Sequence, residues 1–229
     1  HKSFYGNAVE SYQKVFTKKE WDKIPAIELG LSADTDLADR LSELKEKSFL
    51  SNSDSHSVPK IAREYNIFKM QELNFKEFKK TLLRKDKRRV VSNFGLDPRL
   101  GKYHRSFCSA CQQKFTDEKP YSYCPNCGKE LIKGVKDRIL EISDQELKHP
   151  EHRGKYIYQI PLLDIPGIGK KTLQKLLKEF DTEMDVIHNI NLNDLKKVLN
   201  DQLAEKIDLA RRGEAKIVSG GGGNYGKMK

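Results

Sequence analysis

The chain has 229 residues, 37% hydrophobic and 33% charged, with 43 Lys and Arg against 33 Asp and Glu and a formal net charge of +10. Its mean hydropathy is −0.73, and no apolar run approaches the ~18 residues that cross a bilayer, which excludes a helical membrane span. The basic balance points to a polyanionic partner, although nucleic acid, an anionic membrane surface and plain solubility all fit charge alone.

The chain opens on His1 without an initiator methionine or a basic-then-apolar leader. It is therefore expected to be a piece of something longer and to reside in a reducing cytoplasm. From the start to about residue 90, short β-prone runs alternate with helical patterns. The runs are 26–29 (Ala-Ile-Glu-Leu), 48–51 (Ser-Phe-Leu-Ser) and 66–69 (Asn-Ile-Phe-Lys). Between the first two, Leu37, Leu41 and Leu44 recur at helical spacing behind the capping-type Asp34 and Thr35, giving a strand-helix-strand unit. Such alternation implies a mostly parallel sheet whose chemistry gathers at the C-terminal ends of its strands. The segment is too short to close an eight-stranded barrel by itself.

Just past the second run lies Ser51-Asn52-Ser53-Asp54-Ser55-His56-Ser57. Asp54 and His56, two apart at a strand end, can aim an oxygen and an imidazole nitrogen at one cation. A turn rich in Ser, Asn and Asp that caps the next helix explains the same residues. Lys76 to Arg89 is densely basic and includes Arg88 and Arg89. It reads either as a solvated helix end or as a phosphate-contacting stripe. Gly95 to Gly101, with Pro98 between, reads as a boundary.

All four cysteines then fall in two C-x2-C pairs, Cys108 with Cys111 and Cys124 with Cys127, separated by twelve residues. Two intervening residues let both sulfurs of a tight turn face one ion, and the gap suits a hairpin that joins two such turns. Four thiolates leave no open coordination position, so the expected group is a structural Zn2+ in a zinc ribbon. Two disulfides conflict with the expected compartment. A rubredoxin-like iron usually comes with a longer spacer and an aromatic core. A hairpin this poor in apolar residues depends on metal to fold.

After an acidic connector, Tyr156 onward is expected to be helical. The run Ile165-Pro166-Gly167-Ile168-Gly169-Lys170-Lys171 is similar to the helix-hairpin-helix motif. Gly167 and Gly169 clear side chains from the contact surface, the helix N-terminus attracts phosphate, and Lys170 and Lys171 add charge. A weaker second unit runs from Leu195 to Ile207. The glycine-rich end, 219–226, reads as a flexible tail or as a backbone-rich loop against phosphate or a neighbouring domain.

Taken in order, 26–34, 51–57, Gly101-Lys-Tyr-His104, the four cysteines and 165–169 resemble the C-terminal part of endonuclease Q family proteins. The catalytic domain of that family belongs to the polymerase-and-histidinol-phosphatase (PHP) class of metal-dependent phosphoesterases. The resemblance implies an α/β fold with a partial PHP-type, distorted β/α-barrel segment over 1–95. A zinc ribbon over 96–140, an all-α helix-hairpin-helix domain over 155–212 and a Gly-rich tail over 213–229 would follow. It implies a DNA repair endonuclease acting beside deaminated or damaged bases, with divalent catalytic ions (Zn2+, Mn2+ or Mg2+) in the complete protein. Asp54 and His56 match the last ligand pair of such sites. PHP enzymes begin with an H-x-H pair, and none exists among the six histidines here; His1 lies near a ligand-bearing segment of the family. Glu28 reads as a pocket residue or a salt-bridged structural one, and His104 as a substrate contact or a residue that orders the linker. The expected partner is DNA, held through its phosphate backbone, with no membrane and no small-molecule cofactor. The alternative is a non-enzymatic zinc-ribbon and hairpin module of a ligase or helicase.

Overall fold

The computed structural model describes residues 3–7, 9–117 and 119–229; His1 lies outside them. The N-terminal segment leads into the one-turn helix α1 (Lys18–Trp21), closed by a capping box between Thr17 and Glu20. Trp21 is buried, stacked on Tyr12 at 4.5 Å, with the Lys47 ammonium 4.2 Å from its ring. Strands β1 (Ala26–Leu29) and β2 (Ser48–Ser51) lie where predicted and pair in parallel. The helix between them is shorter than its leucine spacing suggests. After α2 (Thr35–Ala38), capped by Asp34, the chain breaks at Asp39 into a separate 3-10 turn at Ser42–Leu44. Asp39 is 1% exposed, and its carboxylate accepts from Arg153 and from His149, an arrangement that displaces a continuous helix.

Strand β3 (Tyr65–Lys69) leads through α3 (Phe75–Leu82) to β4 (Arg89–Leu96). β3 and β4 are antiparallel, so the sheet is mixed rather than parallel. Gly95, read as part of a boundary, lies inside β4: a Cβ there would come within 1.9 Å of the Tyr156 hydroxyl. β2 meets β3 and β4 without a backbone ladder. The Asn66 amide both accepts from Ser51 N and donates to Ser51 O at 2.9 Å, and Asn93 Nδ2 donates to Phe49 O. Two side-chain amides thus take the place of a strand rung.

The ribbon consists of β5 (Phe107–Cys108) and β6 (Gln113–Lys114), antiparallel, with bridges from Phe107 to Ile132 and Tyr123 to Glu130. Helix α4 (Val135–Ile142) follows. It is fastened to the ribbon's base by a buried pair, Arg105 with Asp137 at 3.0 Å, both under 5% exposed.

The expectation of helix from Tyr156 onward is corrected at its start. Residues Lys155–Gln159 form β7, parallel to β4, and the helices begin only after the turn at 162–164. The alternating aromatics Tyr156 and Tyr158 are strand residues facing a pleated surface. Four helices follow, α5 (Lys170–Phe180), α6 (Glu183–His188), α7 (Leu192–Val198) and α8 (Asp201–Arg211). Their core of Leu176, Val186, Leu195 and Ile207 is continuous with Leu96, Leu100 and Ile160 of the sheet and its outlet.

The chain then forms a hairpin of β8 (Ile217–Val218) and β9 (Lys227–Met228) instead of a free tail. Its glycines lie on the 99–107 segment. Gly220 N donates to Arg99 O at 2.7 Å, Gly226 N donates to Leu100 O at 2.9 Å, and Gly220 O accepts from Arg105 N at 3.0 Å. A Cβ on Gly226 would stand 2.1 Å from Arg99 O, so only glycine permits this backbone-on-backbone contact. Among the described residues, no helix is long and apolar enough to cross a membrane.

Candidate functional site

Four sulfurs meet at the tip of the ribbon. Sγ of Cys108 lies 3.6 Å from that of Cys127, Sγ of Cys111 lies 3.8 Å from that of Cys124, and all four fall within 4.8 Å of one another. A tetrahedral ion with metal–sulfur bonds of ~2.3 Å spaces its sulfurs about 3.8 Å apart, so the set fits such an ion. The second knuckle turns at Gly128, whose φ is +69°, with its amide on Cys124 O. The Cys111 backbone amide, directed at its sulfur, draws the Cys108 thiol down to about 7, whereas hydrogen bonding among the sulfurs, Cys127 first, pushes Cys111 up to about 12. Four sulfurs held this close are consistent with a structural metal site.

A second constellation lies at the C-terminal ends of the parallel pair. Glu28, next to last in β1, accepts from Asn52 Nδ2 at 3.0 Å just beyond β2. Asp54 follows with φ +45°, a left-handed conformation that Asp tolerates. That turn brings its Oδ1 to 3.4 Å from His56 Nε2, and both side chains are largely exposed, 70% and 83%. Arg63 holds the turn from behind, its Nε donating to Ser53 O at 2.7 Å. Glu64, next to Arg63 in the chain, is 3% exposed; one carboxylate oxygen accepts from Leu96 N at 2.8 Å and the other has no hydrogen-bond partner among the described residues. Desolvation pushes this carboxyl up to about 8, so at neutral pH it carries a proton.

The structure thus brings Glu28, Asp54 and His56 to one end of the sheet. His104 lies by the turn that follows the same strand β1. That imidazole is 4% exposed and lies 3.3 Å from Ser32 O, a contact in which Nδ1–H donates. Burial pushes it down to about 4, leaving it a neutral ring that ties the linker to the β1–α2 turn.

The hairpin residues gather at the start of α5. Ile165 and Ile168 are buried and anchor the turn, Gly167 takes φ +100°, and Gly169 is the N-cap. No side chain caps α5, whereas Asn200 caps the corresponding helix α8 by accepting from Leu203 N at 2.9 Å. The first-turn amides of α5 therefore have no side-chain cap, and Lys170 and Lys171 are exposed beside them. The basic run divides. Arg88 is engaged, its Nε 2.7 Å from Glu77, whose carboxyl it holds at about 2 together with the Gln71 amide and Lys80. Arg89 and Lys79 remain exposed.

Glu64 and Arg63 are site residues that the spacing of the sequence does not flag. The only local signal is a charged pair directly before a strand, seven and eight residues past His56.

No protein-family model matches the chain. It is 46% identical over 232 aligned positions to "Uncharacterized protein YqxK" of Bacillus subtilis, covering 100% of this chain and 58% of that protein. It is 40% identical over 222 positions to "Uncharacterized protein MJ0043" of Methanocaldococcus jannaschii, covering 88% of this chain and 28% of that protein. The crystal structure of the lesion-specific endonuclease PfuEndoQ from Pyrococcus furiosus superposes with a TM-score of 0.83 at 34% identity, over 99% of this chain and 59% of that one. The crystal structure of endonuclease Q complexed with a 27-mer duplex substrate, an abasic lesion at its active site, superposes with a TM-score of 0.76 at 35% identity, over 89% and 55%. The fold is endonuclease Q-like.

Proposed function

We propose that this chain forms part of a metal-dependent DNA repair endonuclease that cuts the strand beside deaminated or otherwise damaged bases. The observation that carries this reading is the placement of Asp54 and His56 at the strand ends of a fold like that of a lesion-specific endonuclease. Asp54 Oδ1 and His56 Nε2, 3.4 Å apart, are close enough to bind one divalent ion, Zn2+, Mn2+ or Mg2+. Held by Asp54 and His56 in a PHP-type site with further ligands, such an ion would supply Lewis-acid polarisation of the phosphodiester and would lower the pKa of bound water. The chain's own residues position the substrate. Arg63 fixes the turn through Ser53 O, and Glu28 with Asn52 forms the adjacent wall. The cysteine site, filled with zinc, keeps the ribbon folded and does no hydrolysis. The hairpin at Gly167, Gly169, Lys170 and Lys171 grips the phosphate backbone without regard to base sequence, joined by Arg89 from the basic run.

The test is nicking of end-labelled duplexes bearing uracil, hypoxanthine or an abasic site, with Mn2+ or Mg2+. It is run on the 229-residue chain and on a form extended to the length of its relatives. Asp54→Ala is expected to reduce nicking in the active form by more than about 100-fold while duplex binding persists. Undiminished nicking by that variant rejects the assignment.

A further inference from the structure

Between the proposed phosphate-gripping hairpin and the C-terminal β8–β9 hairpin lies a cleft of about 500 Å3, within the size range that admits a small ligand group. Its lining includes Lys60, Arg63, the backbone around Gly167, Tyr225 and Lys227, together with the buried apolar side chains of Leu100 and Met228. Three cations face one carboxylate, Asp164, among the described lining residues. Tyr225 is 49% exposed, with the Lys102 ammonium 4.6 Å from its ring. The loop that bears it is held by main-chain bonds from Gly220 and Gly226 to Arg99 and Leu100, so the aromatic stands on a fixed support. Arg63 links the cleft to the D-x-H turn, because its Nε holds Ser53 O.

We propose that this cleft receives an unpaired stretch of the DNA strand, with one base stacked on Tyr225 and the flanking phosphates on Lys60, Arg63 and Lys227. The inference rests on the DNA-processing reading above and adds a subsite to it. A cleft of this volume has no room for a duplex, whereas a half-exposed ring among cations matches the stacking platform and basic track that hold single strands. A strand gripped at Gly167 crosses the cleft and leaves it along Arg63, toward Asp54 and His56.

The test measures anisotropy of the 229-residue chain with two labelled DNAs, one fully paired and one with a three-nucleotide unpaired gap, the gap carrying 2-aminopurine. Tyr225→Ala is expected to weaken gapped-DNA binding about tenfold and to relieve 2-aminopurine quenching, with paired-DNA affinity changed less than about twofold. Tyr225→Phe, which keeps the stacking face, should retain both, and Lys227→Gln should reduce the salt slope on gapped DNA only. Equal affinities of wild type and Tyr225→Ala for gapped DNA, or an equal loss on both DNAs, overturns the subsite while leaving the parent reading in place. Failure of the wild-type chain to bind either DNA overturns both.

Discussion

At the scale of single residues, the chain divides into side chains whose role is written in local spacing and side chains whose role is made by burial. The four cysteines belong to the first kind, because C-x2-C geometry is dictated by a tight turn and survives any tertiary context. Asp54 and His56 are intermediate. Their spacing indicates that they can meet, and the left-handed backbone at Asp54 is what brings them together. Glu64 is of the second kind, since the charged pair it makes with Arg63 in sequence does not by itself mark a carboxyl that the fold seals under Leu96. Its raised folded value, about 8, has a consequence with a definite sign. Between the ordinary glutamate range and pH 8 the folded state binds more protons than the unfolded one, so this group's contribution to stability is present in mild acid and lost as pH rises through 8. Glu64→Gln copies the protonated form. Urea denaturation at pH 5 and pH 8.5 should show the variant gaining on the wild type at the higher pH, by a few kcal/mol as an order of magnitude. A difference between the two proteins that does not change with pH contradicts the protonated buried carboxyl.

At the scale of elements, strands β1 and β2 were legible because β-branched and aromatic runs are bounded by turn residues, and α5 because its leucines share a face. Strand β7 was not, since its five residues gain their identity from a partner, β4, sixty residues earlier in the chain. The glycine-rich end was legible as backbone-rich. Its ordering depends on the 99–107 segment, which presents carbonyls where side chains would collide. Gly226→Ala should therefore lower the melting temperature and expose the β8–β9 hairpin to proteolysis, with Gly30→Ala as a milder control whose Cβ meets no atom within 4 Å and whose backbone is not left-handed. The uncapped α5 N-terminus carries its own prediction. Replacing Lys170 and Lys171 by Gln should flatten the dependence of log affinity for duplex DNA on log salt by about two units of slope, read by anisotropy. The fold is spared by this change, because both side chains are exposed. A change of Gly167 to Val serves as the harsher companion, since its Cβ would come within 2.6 Å of Leu203. An unchanged slope removes the hairpin from the DNA interface.

At the scale of the whole molecule, the segment 99–107 is the joint. It bonds to the C-terminal hairpin through Gly220 and Gly226, to α4 through Arg105 and Asp137, to Ser32 through His104, and to the ribbon through Phe107 and Ile132. Removal of the ribbon metal should be felt beyond the ribbon. A chelator strong enough to strip zinc, or Cys127→Ser, is expected to release about one equivalent of zinc per chain and to lower the overall melting temperature, measured by colorimetric zinc release and scanning calorimetry. Zinc loss with an unaltered melting curve separates the ribbon from the rest. The same joint also governs how the molecule is made. Lys114 Nζ reaches Ser219 O at 2.7 Å across 105 residues of chain, and Met228 is buried against a core whose other members begin at Leu96. During synthesis the ribbon and its joint precede their glycine clasp by about a hundred residues, so the final closure is a long-range step. Until then the carbonyls of Arg99 and Leu100 remain available to water, chaperones or the wrong strand.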